Sequence, residues 1–327
     1  MDCKSSPPGR EVTPEVLTST VPRELAGERL DRALASLFQD YSRTAVQGWI
    51  RDGAVALDGA PAARVRARVA GGEQVRVRVP APAPAGDRPQ AMILDLPFED
   101  EHLLVVNKPA GLVVHPGAGN PAGTLLNALL HHHGALSRLP RAGLVHRIDK
   151  NTSGLLVVAK TPAAQTRLVA AMAAHAVQRH YLAVVHGQPN SEGTIDAPIG
   201  RHPRHRTRMA VRGNGRASVT HFQVARRFHH HAQLQLRLET GRTHQIRVHL
   251  SHLGHPIVGD REYGGIRPAR AGSGESGDVI AAFQRQALHA HTLILRHPVL
   301  DRCLRFQAEV PPDMQHLIQA LERDAAR

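Results

Sequence analysis

The segment LVHRIDKNTSGLLVVAK, residues 144–160, sets one carboxylate, Asp149, between Arg147 and Lys150 and ahead of Thr152, Ser153 and Gly154. An aspartate is ionised in water at neutral pH, and adjacent cations favour that charged form. A carboxylate kept charged suits a nucleophile or a base and does not suit a general acid. The small residues after it permit a tight turn and the close approach of a ligand. The plainer alternative is a turn or cap aspartate feeding the apolar run 155–159, the ordinary fate of a loop aspartate.

A second segment bears on that choice. LRLETGRTHQIRVHL, residues 236–250, turns a strand into a helical start and crowds Arg242, His244, Gln245 and Arg247 into six positions. A guanidinium holds a carboxylate in a bidentate fork or grips phosphate. Arg242 is the residue expected to pair with Asp149; a solvated basic helix start is the alternative. Tyr181, one of three tyrosines, stands in HYLAVVHG. It could stack on a base and offer a hydroxyl, or serve equally as a core tyrosine. RHPRHRTRMAVRGNGR, residues 201–216, carries Arg201, Arg204, Arg206 and Arg208 and reads as a phosphate-gripping hairpin. The histidine runs 131–133 and 229–231 invite a metal reading. It is rejected: adjacent histidines rarely face one ion, and no cysteine or carboxylate at ligand spacing accompanies them. No P-loop, dinucleotide fingerprint or nucleophile elbow occurs.

Composition narrows the partner. The 327 residues carry 41 Lys and Arg against 28 Asp and Glu, a net charge of +13, with 23 histidines in reserve. That balance favours a polyanion, with nucleic acid first. Two cysteines, Cys3 and Cys303, indicate neither a disulfide framework nor a cysteine metal site and fit a reducing compartment. The N-terminus has no apolar signal region, and no stretch reaches the ~18 apolar residues of a membrane span. A cytoplasmic monomer with no membrane association is expected.

The elements that must position these residues follow from periodicity. Residues 1–21 are polar and read as a disordered tail. Residues 22–80 read as a small α/β module. ERLDRALASLF has helical spacing, Ser42 is a plausible cap for a second helix, and EQVRVRVP alternates as a strand. The Pro/Ala-rich stretch 81–95 reads as a linker. Residues 96–327 offer many strands with interspersed helices rather than regular βαβ units. That pattern predicts an α+β fold with a mostly antiparallel mixed sheet. HLLVVNKPAGLVVHPG reads as two apolar runs around a turn, and 266–279 as a mobile insertion.

The segments RAGLVHRIDKNTSGLLVVAK, GLVVHPGAGNPAGTLLNALL and RLETGRTHQIRVHLSHLGHPIVGD resemble the signature segments of pseudouridine synthases that modify ribosomal RNA. The module before them resembles the RNA-binding domain named after ribosomal small-subunit protein four. The likeness covers roughly residues 22–315. It implies Asp149 as catalytic carboxylate, Tyr181 as the tyrosine stacked on the base near carbon-5, and Arg242 as the aspartate's partner. Arg147 is implied in flipping the uridine. Further RNA contacts are expected from His115, His146, Lys150, Thr152, His244, Gln245 and Arg247, and from Arg29, Arg43 and Arg51 on the small module. The reaction is an isomerisation, so no cofactor or metal is implied. The implied partner is large-subunit ribosomal RNA or a ribosomal subunit precursor, with the helix-69 stem-loop as target. Ile148 and Asn151 depart mildly from the family pattern.

Three alternatives compete: a synthase for another ribosomal or transfer RNA uridine, a non-catalytic RNA-binding assembly protein, and a hydrolytic nucleosidase or glycosidase. The second leaves Asp149 unexplained. The third usually wants two carboxylates, and the loop offers one.

Overall fold

A computed structural model describes residues 16–39, 41, 43–62, 64–79, 88–117, 119–205, 207–264 and 275–326. The chain divides into two compact units, 1–85 and 86–327.

The N-terminal unit packs two short helices on one face of a four-stranded sheet. Its elements are β1 (Val16–Thr20), α1 (Leu30–Leu37), α2 (Arg43–Arg51), β2 (Val55–Leu57), β3 (Ala60–Pro61) and β4 (Gln74–Arg78), with strand order β1-β4-β2-β3. Leu30, Ala33 and Leu34 of α1 and Val46, Trp49 and Ile50 of α2 close over Val55, Val75 and Val77. The period-2 alternation of β4 buries Val75 and Val77 and turns Arg76 and Arg78 outward. Residues 16–20 are a correction to the expected tail. They pair antiparallel with β4, from Val16 opposite Arg78 to Thr20 opposite Gln74. VLTST looks like tail because its pairing partner lies more than fifty residues away. Residues 1–15 and Ser42 lie outside the described residues.

The second unit is built on a nine-stranded mixed sheet. Its elements are β5 (Asp95–Glu99), β6 (Leu103–Lys108), α3 (Leu125–His132), β7 (Ser153–Ala159), α4 (Pro162–Ala173), β8 (Gln178–His186), β9 (Glu192–Asp196), β10 (Ile199–Arg201), β11 (Met209–Val211), β12 (Val219–Arg227), β13 (His231–Leu238), α5 (Gln245–His252), α6 (Glu275–Ala282), β14 (Leu288–Arg296), β15 (Cys303–Gln307) and α7 (Pro312–Ala325). The strand order is β5-β6-β7-β14-β8-β13-β12-β9, with β15 added to β14. Among the described strands only β7 and β14 pair in parallel, so the mostly antiparallel α+β expectation holds. Strands β10 and β11 form a separate two-stranded ribbon.

Every residue of β7 is buried, as expected of a strand covered on both faces. Leu156 and Val158 join the larger core, with Leu125 and Leu129 of α3 and Leu317 of α7. Leu155, Val157 and Ala159 face Ala164 and Leu168 of α4. The start of β7 is fixed by close backbone contact. Gly154 has φ +111°, and a Cβ there would lie 2.2 Å from the Ala290 carbonyl oxygen. Only glycine allows β7 to approach β14 at that point, and this sets where the Asp149 loop must end.

The second apolar run of HLLVVNKPAGLVVHPG makes a single bridge, Val113 to Thr124. One further expectation is corrected. Of the stretch read as an insertion, 275–279 belongs to α6, while 266–274 lies outside the described residues.

Candidate active site

The Asp149 loop leaves a short 3-10 segment at Pro140–Gly143 and returns at β7. It is fastened from four sides. Thr152 N–H donates to the Asp149 carbonyl at 3.1 Å. The fully buried Lys108 ammonium, at the end of β6, donates to the carbonyls of Pro109, Leu112 and Lys150 at 2.7, 2.9 and 2.9 Å. Gln286 donates to the Thr152 hydroxyl at 3.2 Å. His146 Nε2 accepts the Val157 N–H at 3.0 Å, which assigns the remaining imidazole proton to Nδ1.

Electrostatics follow from this burial. Burial pulls Lys108 down to about 7, with the Asp149 charge opposing. Burial, then Arg179, holds His146 near 3. Burial, then Arg141 and Arg147, holds His115 near 4. His115 and His146 are therefore neutral in the physiological range and add no charge for RNA there.

The partner of Asp149 is Arg247, on α5. Arg247 Nη1 donates to Asp149 Oδ2 at 3.2 Å. The same guanidinium donates through Nε and Nη2 to both oxygens of Asp260, at 2.7 and 2.9 Å, and through Nη2 to Glu262 at 3.1 Å. Its Cζ lies 4.8 Å from the centre of the Tyr263 ring. Burial opposes the Arg247 charge, but hydrogen bonding and charge from Asp260, then Asp149, raise its affinity for the proton. His244 reaches within 3.9 Å of Asp149 Oδ1 and bonds the Tyr263 hydroxyl through Nδ1 at 2.7 Å. Burial lowers His244, opposed by Asp149.

This corrects the expected Arg242–Asp149 pair. Arg242 is half-buried and its Nε donates to the Ala217 carbonyl at 3.2 Å. The cause is local geometry. His244 caps α5 in the left-handed region at φ +57°, so the chain reverses and the inward face of α5 carries Arg247. Gln245 is also corrected as an RNA contact. Its oxygen accepts from Thr240 and the Arg242 N–H at 2.8 and 3.0 Å, and its amide donates to the Val219 carbonyl and Thr220 at 3.0 Å each. No donor or acceptor position is left for a ligand. Arg247 and Thr152 are likewise buried and bound within the protein.

Asp149 opens into a narrow slot of about 70 Å³ whose walls include Tyr181, Thr152, His244 and Leu288. Tyr181 lies on β8 with its hydroxyl pushed up by burial. Beside the slot runs a wider groove of about 810 Å³ that includes His115, Arg141, His146 and His175. Arg147, Arg179 and Arg242 line both. Lys150 is exposed at the loop tip. Arg201, Arg204 and Arg208 line neither cavity; their ribbon touches the site where Met209 N–H donates to the Tyr263 hydroxyl at 3.0 Å. Arg206 lies outside the described residues.

In the N-terminal unit, Arg29 and Arg43 both clamp the buried Asp31, which gives them a structural task, while Arg51 is exposed at the end of α2. Among the described residues no group of three or more His, Cys, Asp or Glu could hold a metal ion, and no helix is long and apolar enough to cross a membrane. Sequence reading passed over Lys108, Asp260, Glu262 and Tyr263. The signal for the last three was an acid pair and a tyrosine between Gly259 and Gly264.

The family model described as RNA pseudouridylate synthase matches residues 102–252, and the S4 domain model matches 28–75. The chain is 49% identical over 309 residues to ribosomal large subunit pseudouridine synthase D of Yersinia pestis, covering 94% of this chain and 95% of that protein. It is 52% identical over 312 residues to the protein of the same name from Xanthomonas campestris pv. campestris, covering 94% and 93%. Among solved structures, human RNA pseudouridylate synthase domain containing 4 is similar at 27% identity and a TM-score of 0.55, covering 69% of this chain and 92% of that one.

Proposed function

This chain belongs to the family of RNA pseudouridine synthases and is an isomerase, and on that footing we propose that Asp149 is its catalytic carboxylate and large-subunit ribosomal RNA its substrate. The carrying observation is one carboxylate, held by Arg247, in a narrow slot with Tyr181 that opens beside an arginine-lined groove. The relatives' names supply the large-subunit assignment. The helix-69 stem-loop is the target uridine region of choice.

The reaction breaks the bond between uracil N1 and the ribose C1′ and forms one from C5 to C1′. The proton on C5 leaves and N1 gains one, so atoms and electrons balance within the nucleotide. Asp149 either attacks C1′ or removes the C2′ proton as the N1 bond breaks. Arg247 holds the carboxylate aimed, and needs no reorganisation because Asp260 and Glu262 already fix it. Tyr181 stacks on the detached base, and its hydroxyl, protonated at rest, relays the C5 proton by giving up its own as it takes that one. A uridine inside a helix cannot reach this slot, so it must flip out, and Arg147 at the mouth fills the space it leaves. The small N-terminal unit adds phosphate contacts through Arg51 and the cationic remainder of the Arg29–Arg43 pair.

The test is pseudouridine mapping on large-subunit RNA and on subunits from cells lacking the activity, treated with the protein and with Asp149→Ala. New pseudouridine in helix 69 from the native protein alone supports the reading. Modification elsewhere moves the target, and modification by the variant removes Asp149 from the chemistry.

A further inference from the structure

Arg179 is a buried cation without an anion. It lies on β8 two residues before Tyr181, and like Tyr181 it lines the slot. It is 7% exposed. Among the described residues its one side-chain hydrogen bond is weak, from Nη2 to the Glu239 carbonyl at 3.3 Å. Its Nε is buried with no acceptor. Among the described residues no carboxylate lies within ion-pair distance of it. The nearby acids are committed elsewhere: Asp149 to Arg247, and the Glu239 carboxylate to His221 Nε2 at 2.6 Å. Arg141, Arg147 and Arg242 share the groove wall with it.

An unpaired buried charge costs several kcal/mol, and such a cost persists where a ligand removes it. The chain makes room for this one. A Cβ at Gly241 would sit 2.7 Å from Arg179 Nη1, so glycine there lets the guanidinium stand in the wall shared by slot and groove. A flipped nucleotide needs its base in the slot and its strand in the groove, and its phosphate must pass that wall.

We propose that Arg179 binds the phosphodiester of the flipped nucleotide and so positions its ribose over Asp149. This rests on the catalytic site proposed above. The guanidinium supplies Nε and Nη1, both without acceptors among the described residues, to the phosphate oxygens.

The test measures binding without turnover, in an Asp149→Asn background, with Arg179 or Arg179→Met. The probe is the helix-69 stem-loop RNA, natural or with a neutral methylphosphonate placed in turn at each uridine. The Arg179 protein should lose about tenfold in affinity at one methylphosphonate position. Arg179→Met should lose about as much on natural RNA, ignore that methylphosphonate, and show a salt slope shallower by about 0.7. Its Tm should be unchanged or higher, because a stranded charge has gone. A lowered Tm with affinity and salt slope unchanged would mean that Arg179 only braces the 239–241 turn, and would overturn the proposal. Equal losses for both proteins at every methylphosphonate would overturn it too. Failure of the site reading shows separately, as pseudouridine still formed by the Asp149→Asn protein.

Discussion

Each unit of the molecule contains an arginine–carboxylate cluster, and the two are built in opposite ways. In the N-terminal unit one acid holds two arginines. Asp31 is fully buried and its oxygens accept from Arg29, Arg43 and Gln47, at distances from 2.6 to 3.1 Å. In the catalytic unit one arginine holds three acids, Asp149, Asp260 and Glu262. Asp260 takes the two short bonds and Asp149 a single longer one, with its Oδ1 only approached by His244 at 3.9 Å. A saturated carboxylate is a fastening. A carboxylate held by one oxygen, with the other facing a slot, is oriented and still available. The first cluster joins α1 to α2; the second holds Asp149 beside the slot, as the proposed chemistry requires.

The largest break in this contrast is Arg247→Met. It strands Asp260 and Glu262 with Asp149, so stability should fall by about 4 kcal/mol and turnover should be lost with it. Arg242→Met should leave Tm within error and weaken only RNA binding, which chemical denaturation and a binding isotherm separate. Equal effects of the two would restore Arg242 as the aspartate's partner.

Asp31→Ala comes next. It leaves two arginines facing each other at a half-exposed site, and should cost about 2 kcal/mol. Its pH signature has a definite sign. Burial raises the Asp31 carboxyl, but hydrogen bonds from Gln47, Arg29 and Arg43 win and hold it well below its ordinary 3.8. Its stabilisation is therefore complete above about pH 4 and is lost as pH falls further. The N-terminal unit of the native protein should show an acid-sensitive step that Asp31→Ala lacks.

The smallest effect, read per pH unit, belongs to Lys108. Its folded value near 7 lies below the ordinary 10.5, so the unfolded chain binds the extra proton between those values. Native stability should gain as pH rises from 7 toward 10.5, by at most ~1.4 kcal/mol per pH unit. Lys108→Met, less stable overall for its three stranded carbonyls, should lack that tilt in a series of Tm measurements.

These clusters also show what sequence can reveal. Asp149 and Tyr181 stood out because their segments are dense in chemistry within a few residues. The strand β4 and the helix α1 followed from local periodicity. What failed was long-range or stereochemical. Arg247 replaced Arg242 because one left-handed residue, His244, turns the chain. Asp260 and Glu262 enter from beyond α5, thirteen and fifteen residues after Arg247. β1 is a strand only because β4 offers it an edge. Lys108 looked like part of a turn because nothing local announces three carbonyls converging on it.

The most direct measurement compares Asp149→Asn with Asp31→Asn for turnover per folded molecule at saturating RNA, alongside the Tm of each. Asp149→Asn should keep its Tm and its RNA affinity while turnover drops by about 10³-fold or more. Asp31→Asn should lose Tm and keep turnover. Residual turnover near the native rate in Asp149→Asn would contradict the account, because the carboxylate left available in the slot would then not be the one that does the chemistry.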